Sequence, residues 1–284
     1  MAPTNQSIND ALPLPNSPAS PHMPQLGFGT YLSPPDLTLK SCLTALQAGY
    51  RHIDTAQYYQ NEAEVGAAIR QSGLRREDVF VTTKILTAGD SVDANYASCL
   101  ESVEKIGGGG GGEGAYVDCF LIHTPNVGEA KRKELWLALE RLYREGKAKS
   151  IGTSNFGKGQ IEGLRGVGEV WPPHVNQIEQ REIVQYCRDN GIVVQAYCPI
   201  VRNQKAEDPT LAGIAKGHGV TPNQVLIRWG LQKGWVSLPK SDNPDRTRLN
   251  ADVFGFDLTE GDEALLDGLD QGAAGSLVQT VNND

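Results

Sequence analysis

The sequence predicts an α/β chain closed into a (β/α)8 TIM barrel, on the strength of two observations. Short β-rich runs alternate with longer helical patterns along most of the 284 residues, and eight strand-helix units close more naturally into a barrel than into an open sheet. The length agrees, since one such barrel takes about 250 residues. A doubly wound sheet is the alternative that the pattern leaves open.

In chain order the strand candidates are residues 26–30, 52–56, 79–84, 117–123, 150–154, 175–179, 192–197 and 236–240. Helical windows lie at 37–48, 61–72, 91–105, 130–145, 157–166, 180–190, 209–218 and 244–250. Extra helices are expected near 222–232 and at the C-terminal end near 260–269. Thr221-Pro222 reads as an N-cap followed by proline at the first helical position. Gly191, after Asp189-Asn190, reads as the stop before the strand beginning at Ile192. Residues 1–22 are expected to be an N-terminal extension, poorly ordered or a short hairpin, and 23–284 a single barrel domain.

Apolar residues at 39% and charged residues at 21% are globular values. A net charge of −8 leaves no basic stripe to meet phosphates, so neither a nucleic acid nor an anionic membrane is an expected partner. The five cysteines, Cys42, Cys99, Cys119, Cys187 and Cys198, are widely spaced and form no CxxC, which suggests neither a disulfide framework nor a metal site. With no secretory pattern at the N-terminus and no long apolar stretch, a cytoplasmic protein is expected. The six glycines at 107–112 contain GxGxxG, but they follow a helical pattern and precede a strand. A phosphate-binding loop has the opposite order, so the run is read as a linker.

In a (β/α)8 barrel functional side chains gather at the C-terminal ends of the strands. Collected there, the polar residues are Asp54 and nearby Tyr59, Lys84, His123, Ser154 and Asn155, Asn176 and Gln177, and Tyr197. Each alone has a plain structural explanation as a cap, a solvated cation, a rim residue or a packed ring. Together Asp, Tyr, Lys and His suit carbonyl reduction. An ammonium beside Tyr59 is expected to lower its pKa from about 10. Asp54 would keep Lys84 charged in a dry pocket, and the His123 imidazole would orient the substrate oxygen.

With these residues the chain resembles the aldo-keto reductases over about residues 23–269. The likeness runs through Leu26-Gly27-Phe28-Gly29-Thr30, the run 49–62, Val81-Thr82-Thr83-Lys84, Leu121-Ile122-His123-Thr124-Pro125, Gly152-Thr153-Ser154-Asn155-Phe156, Val175-Asn176-Gln177-Ile178-Glu179, Ala196-Tyr197-Cys198-Pro199 and Leu238-Pro239-Lys240-Ser241. The resemblance implies a catalytic tetrad of Asp54, Tyr59, Lys84 and His123 with Tyr59 as general acid, and an extended NADPH/NADP cofactor across the C-terminal mouth. It implies that Ser154, Asn155 and Gln177 hold the carboxamide, that Tyr197 stacks on the nicotinamide, and that Lys240, Ser241 and Arg246 clamp the 2′-phosphate. Asn250 is retained near the adenine. Arg202 and Lys205 are candidates for the pyrophosphate, and a solvated charged turn containing Asp242 and Asp245 is the alternative for the clamp. The implied partner is a small-molecule carbonyl substrate, and a monomer or weak dimer is expected.

The sequence departs from the family at four places. About six residues are missing after Glu179, a change that would widen the pocket, shift Gln177 or weaken that unit. Leu249 stands where relatives carry Glu or Gln, and Thr124 where many carry tryptophan, beside a short tail after Leu269. Two other functions are left open: an alcohol or polyol dehydrogenase using Tyr59 as base, and a catalytically weak cofactor-binding regulatory member of the fold.

Overall fold

The computed structural model describes residues 7–17, 21–108, 114–178, 183–275 and 277. Most of the glycine run, the shortened connection after Glu179, parts of the extension and the end of the tail lie outside these residues. The chain opens with an antiparallel hairpin, β1 (Ala11–Pro13) and β2 (His22–Pro24), with Leu12 opposite Met23. Eight parallel strands follow: β3 (Phe28–Gly29), β4 (His52–Asp54), β5 (Phe80–Ile85), β6 (Cys119–Ile122), β7 (Ile151–Ser154), β8 (Val175–Ile178), β9 (Val193–Tyr197) and β10 (Val236–Leu238). They lie in sequence order in one sheet. Backbone hydrogen bonds from Gly27 N to Ser237 O (2.9 Å), Ser237 N to Gln25 O (2.9 Å) and Gly29 N to Pro239 O (2.9 Å) join its two ends. The TIM barrel is the observed fold, and the open sheet is excluded.

Parallel neighbours require a crossover, and helices supply it. They are α1 (Pro35–Gln47), α2 (Glu62–Gln71), α3 (Val92–Gly107), α4 (Glu129–Arg144), α5 (Lys158–Glu162), α6 (Val184–Asp189), α7 (Pro209–His218), α8 (Pro222–Gln232), α9 (Pro244–Ala251) and α10 (Glu260–Asp267). The longer ones bury an apolar stripe on the strands: Cys99, Val103 and Ile106 on α3, and Leu135, Trp136, Leu139 and Leu142 on α4, share one core with Val81, Phe120 and Ile122. Helix α8 begins at the expected place, with Gln224 N donating to Thr221 Oγ1 (3.3 Å) and Thr221 N to Gln224 Oε1 (2.9 Å). Gly191 takes φ +67° between α6 and β9, a left-handed turn that favours glycine.

The hairpin closes the N-terminal end of the barrel. Leu14 and Met23 are fully buried against Phe80, Cys119, Val175 and Val236, each at the opening of a strand. That end is packed shut, which leaves the C-terminal mouth for chemistry. Gly152 allows β7 and β8 to approach, since a Cβ there would lie 2.4 Å from Val175 O. No helix among the described residues is long and apolar enough to cross a membrane.

Candidate active site

Asp54 closes β4, and the chain then turns through a short 3-10 segment, Gln57–Tyr59. The segment is pinned to α3 by the Gln57 amide, which donates to Ser98 O (3.0 Å) and Ser102 Oγ (2.9 Å). Lys84 on β5 is fully buried. Its Nζ donates to Asp54 Oδ1 (2.7 Å), Thr55 O (2.9 Å) and Tyr59 Oη (3.2 Å). Three acceptors therefore meet three ammonium protons. Because the Tyr59 oxygen accepts from Lys84, its own proton is free for another acceptor. The second Asp54 oxygen takes a hydrogen bond from Gln177 Nε2 (2.7 Å).

His123 follows β6, where its amide donates to Ile85 O (2.8 Å). Its ring stands nearly perpendicular to that of Tyr59, 5.7 Å between centroids. Burial, with help from the Lys84 charge, pushes the imidazole down to about 3, so it is neutral at physiological pH. Nδ1 is buried with no hydrogen-bond partner. A proton there would be an unsatisfied buried donor, which places it on Nε2.

Burial likewise lowers Lys84 below the usual lysine value, opposed by the Asp54 charge and hydrogen bond. Tyr59 departs from expectation. Burial, reinforced by the Asp54 carboxylate, holds the phenol well above its usual value, whereas the sequence suggested that Lys84 would lower it. Desolvation of a phenolate outweighs one ammonium whose charge is already shared with Asp54. At neutral pH Tyr59 is a protonated phenol.

A single cavity of about 980 Å³ opens beside these groups. Asp54, Tyr59 and His123 line it, as do Ser154, Asn155, Gln177, Tyr197, Lys240, Ser241, Arg246 and Asn250, while Lys84 lies behind the wall. Asn155 adopts φ +63°, a conformation Asn tolerates better than most residues. It donates to His123 O (3.0 Å) and Ser154 Oγ (3.2 Å) and accepts from Tyr197 Oη (2.8 Å). Gln177 gives its Nε2 to both Asp54 and Gln195 Oε1 (2.7 Å).

On the segment after β10, Lys240 Nζ is paired with Asp242 Oδ2 at 2.5 Å, and Asn243 N donates to Ser241 Oγ (3.1 Å). Arg246 lies in the first turn of α9, capped by the Asn243 side chain (3.0 Å). Arg202 lines the same cavity near the Tyr31 ring, but Lys205 does not line it. Thr124 is on the wall; Leu249 is exposed and outside it.

Two residues escaped the sequence reading. Tyr31, whose ring lies 5.0 Å from that of Tyr59, follows the first barrel strand, and strand-end collection had begun only at the second. Gln195 sits two residues before Tyr197 on β9, hence on the same face, and period-two alternation marks it as inward.

The profile of the aldo/keto reductase family matches residues 25–271. The chain belongs to that family. Among its relatives, glyoxal reductase of Bacillus subtilis (strain 168) is 36% identical over 272 residues, covering 93% of this chain and 94% of the relative. The 9,11-endoperoxide prostaglandin H2 reductase of Trypanosoma cruzi (strain CL Brener) is 38% identical over 262 residues, covering 89% of each. A crystal structure of an aldo/keto reductase from Brucella melitensis superposes with a TM-score of 0.85 at 35% identity, covering 92% of this chain and 98% of that one.

Aldo/keto reductases are oxidoreductases that generally use a nicotinamide cofactor. The groove fits such a group in size, since about 980 Å³ is at the upper end of small-molecule sites. It also fits in chemistry. The Gln177 Oε1 atom accepts no hydrogen bond among the described residues, and the cations Lys240, Arg246 and Arg202 line the same cavity.

Proposed function

We propose that this aldo/keto reductase is an NADPH-dependent carbonyl reductase that converts an aldehyde or ketone to an alcohol, with Tyr59 as general acid. The observation that carries the reading is the Lys84 ammonium, which donates at once to Asp54 and to the Tyr59 oxygen beside the cavity. A bound nicotinamide cofactor would supply the hydride for the carbonyl carbon. Ser154, Asn155 and Gln177 would hold its carboxamide and Tyr197 its ring, a placement that fixes the distance to the carbonyl. Lys240, Ser241 and Arg246 would take the 2′-phosphate, with Asn250 near the adenine.

His123 would donate from Nε2 to the carbonyl oxygen and orient it. Tyr59 would pass its proton to that oxygen as negative charge develops there, and Lys84 would stabilise the phenolate left behind. Asp54 keeps the ammonium in place. Reduction is favoured over the dehydrogenase direction because burial keeps Tyr59 protonated, whereas a base would have to be ionised. The relatives named as reductases point the same way.

We read residues 23–284 as one domain, a monomer or weak dimer in the cytoplasm; all five cysteines are free thiols. The test is NADPH oxidation across a panel of aldehydes, dicarbonyls and ketones, with Tyr59→Phe as the partner variant. Turnover should fall by about 10²–10⁴-fold in the variant, the usual worth of a positioned proton donor, with NADPH still bound. Undiminished turnover would refute the assignment of Tyr59, and tight NADPH binding without turnover of any carbonyl would favour the regulatory reading.

A further inference from the structure

We infer that Asp242 is a specificity-determining residue that limits how strongly this chain prefers a 2′-phosphorylated dinucleotide. The inference rests on the reading that Lys240, Ser241 and Arg246 meet the 2′-phosphate. Asp242 lies in the same stretch and lines the same cavity. Its Oδ2 is paired with Lys240 Nζ at 2.5 Å. Its Oδ1 accepts from Ser33 Oγ at 2.6 Å and Ser41 Oγ at 3.0 Å. The carboxylate is thus held by three donors, two of them hydroxyls from the segment that enters α1 and from α1 itself.

This arrangement has two electrostatic consequences. The charge of Lys240 is already balanced within the protein, so of the two clamp cations only Arg246 has a guanidinium that makes no hydrogen bond or ion pair among the described residues. A phosphate dianion brought to Lys240 must also approach a fixed carboxylate, and like charges this close are costly in a partly desolvated groove. The tethers to Ser33 and Ser41 prevent Asp242 from swinging away at no cost. The neighbouring Asp245 plays no such part, since it is exposed and turned to Arg248 (3.2 Å). An unphosphorylated dinucleotide brings no charge to this corner and is indifferent to Asp242.

The decisive variant is Asp242→Asn, which keeps the side-chain shape and an acceptor oxygen for the serines while removing the charge. Binding of NADPH, NADH and 2′,5′-ADP is measured by calorimetry or by quenching of intrinsic fluorescence, at low and high salt and without a carbonyl substrate. NADPH and 2′,5′-ADP should bind the variant about tenfold more tightly at low salt, equivalent to about 1.4 kcal/mol. High salt should shrink the gain, and NADH should change by less than about twofold. Lys240→Met tests the underlying reading, and should lower affinity for NADPH and 2′,5′-ADP while sparing NADH. If Lys240→Met leaves the preference untouched, the phosphate placement is wrong and the inference falls with it. If Lys240→Met behaves as expected but Asp242→Asn binds NADPH no better, or worse, the inference alone is overturned and Asp242 acts as an anchor for the lysine.

Discussion

Acidification should destabilise this barrel well before its carboxylates protonate, because two fully buried histidines and the half-buried His123 are held as neutral rings. Burial pushes His52 and His174 down to about 4 and His123 to about 3, from an ordinary value of 6.5. The contacts of His174 agree: Ile151 N donates to its Nδ1 (2.9 Å) while its Nε2 faces Asn16 O (3.2 Å), so a second ring proton would break the Ile151 bond. His52 is wedged at the barrel floor between Pro24 O (3.2 Å) and Thr82 Oγ1 (2.9 Å).

For each ring the folded pKa is depressed, so below about 6.5 the unfolded chain binds a proton that the folded chain refuses. Stability is full above that pH and is lost as pH falls toward the folded values. From pH 7 to pH 5 the loss is about 2 kcal/mol per ring and about 6 kcal/mol in all, at about 1.4 kcal/mol per pKa unit. Glu62 offsets part of this, since burial raises its pKa and its protonation favours the folded state. A net loss of about 4–6 kcal/mol is a large share of the 5–15 kcal/mol typical of a domain. Urea unfolding followed by tryptophan fluorescence at half-unit pH steps would read it. His174→Asn, which keeps an acceptor for Ile151, should reduce the pH slope by about one proton. Stability at pH 5 within about 1 kcal/mol of that at pH 7, or an unchanged slope in His174→Asn, would refute the reasoning.

Other outcomes are expected from pH and from substitutions at Lys84, Gly152 and Gly213. Initial rates of carbonyl reduction, with enzyme held at pH 7 until mixing, should show no acid limb between pH 5 and 7 because His123 is already neutral there. An alkaline limb should appear as Lys84 loses its proton below the usual lysine value, whereas alcohol oxidation should rise with pH. Lys84→Met should cost about 3–5 kcal/mol by leaving the Asp54 carboxylate buried without its cation; adding Asp54→Asn should recover much of that, as read by urea midpoints. Gly152→Ala should destabilise by about 1–3 kcal/mol through overpacking, since its Cβ would crowd Val175 O. Gly213→Ala on α7, where a Cβ meets nothing within 4 Å, should instead stabilise by about 0.4–1 kcal/mol.

Much of the fold was legible because it is written in local periodicity. Strand windows such as 150–154 and 236–240 overran the observed strands by one or two residues, since pairing rather than propensity sets where a ladder stops. Helix α8 began where Thr221-Pro222-Asn223-Gln224 placed it, because a capping box is a local device. Strand-end position also drew attention to Asp54, Lys84 and His123, which the structure gathers around one mouth with Tyr59. Tyr31 was missed for want of applying the same rule one strand earlier, and Gln195 for want of following it two residues back from Tyr197.

Residue type and spacing by themselves pointed to a parallel barrel with an Asp, a Lys and a His at its strand ends and Tyr59 just beyond one of them, and the resemblance of its motifs supplied the aldo/keto reductase family. They did not determine the state of those groups. Whether Tyr59 is a phenol or a phenolate, where the His123 proton sits and whether Lys240 is free or already paired depend on burial and on neighbours far away in sequence. Lys84 is 25 residues from Tyr59, and Ser33 is 209 residues from Asp242. Sequence order carries no measure of the solvent removed when such segments meet, and the cost of that removal is what sets each charge.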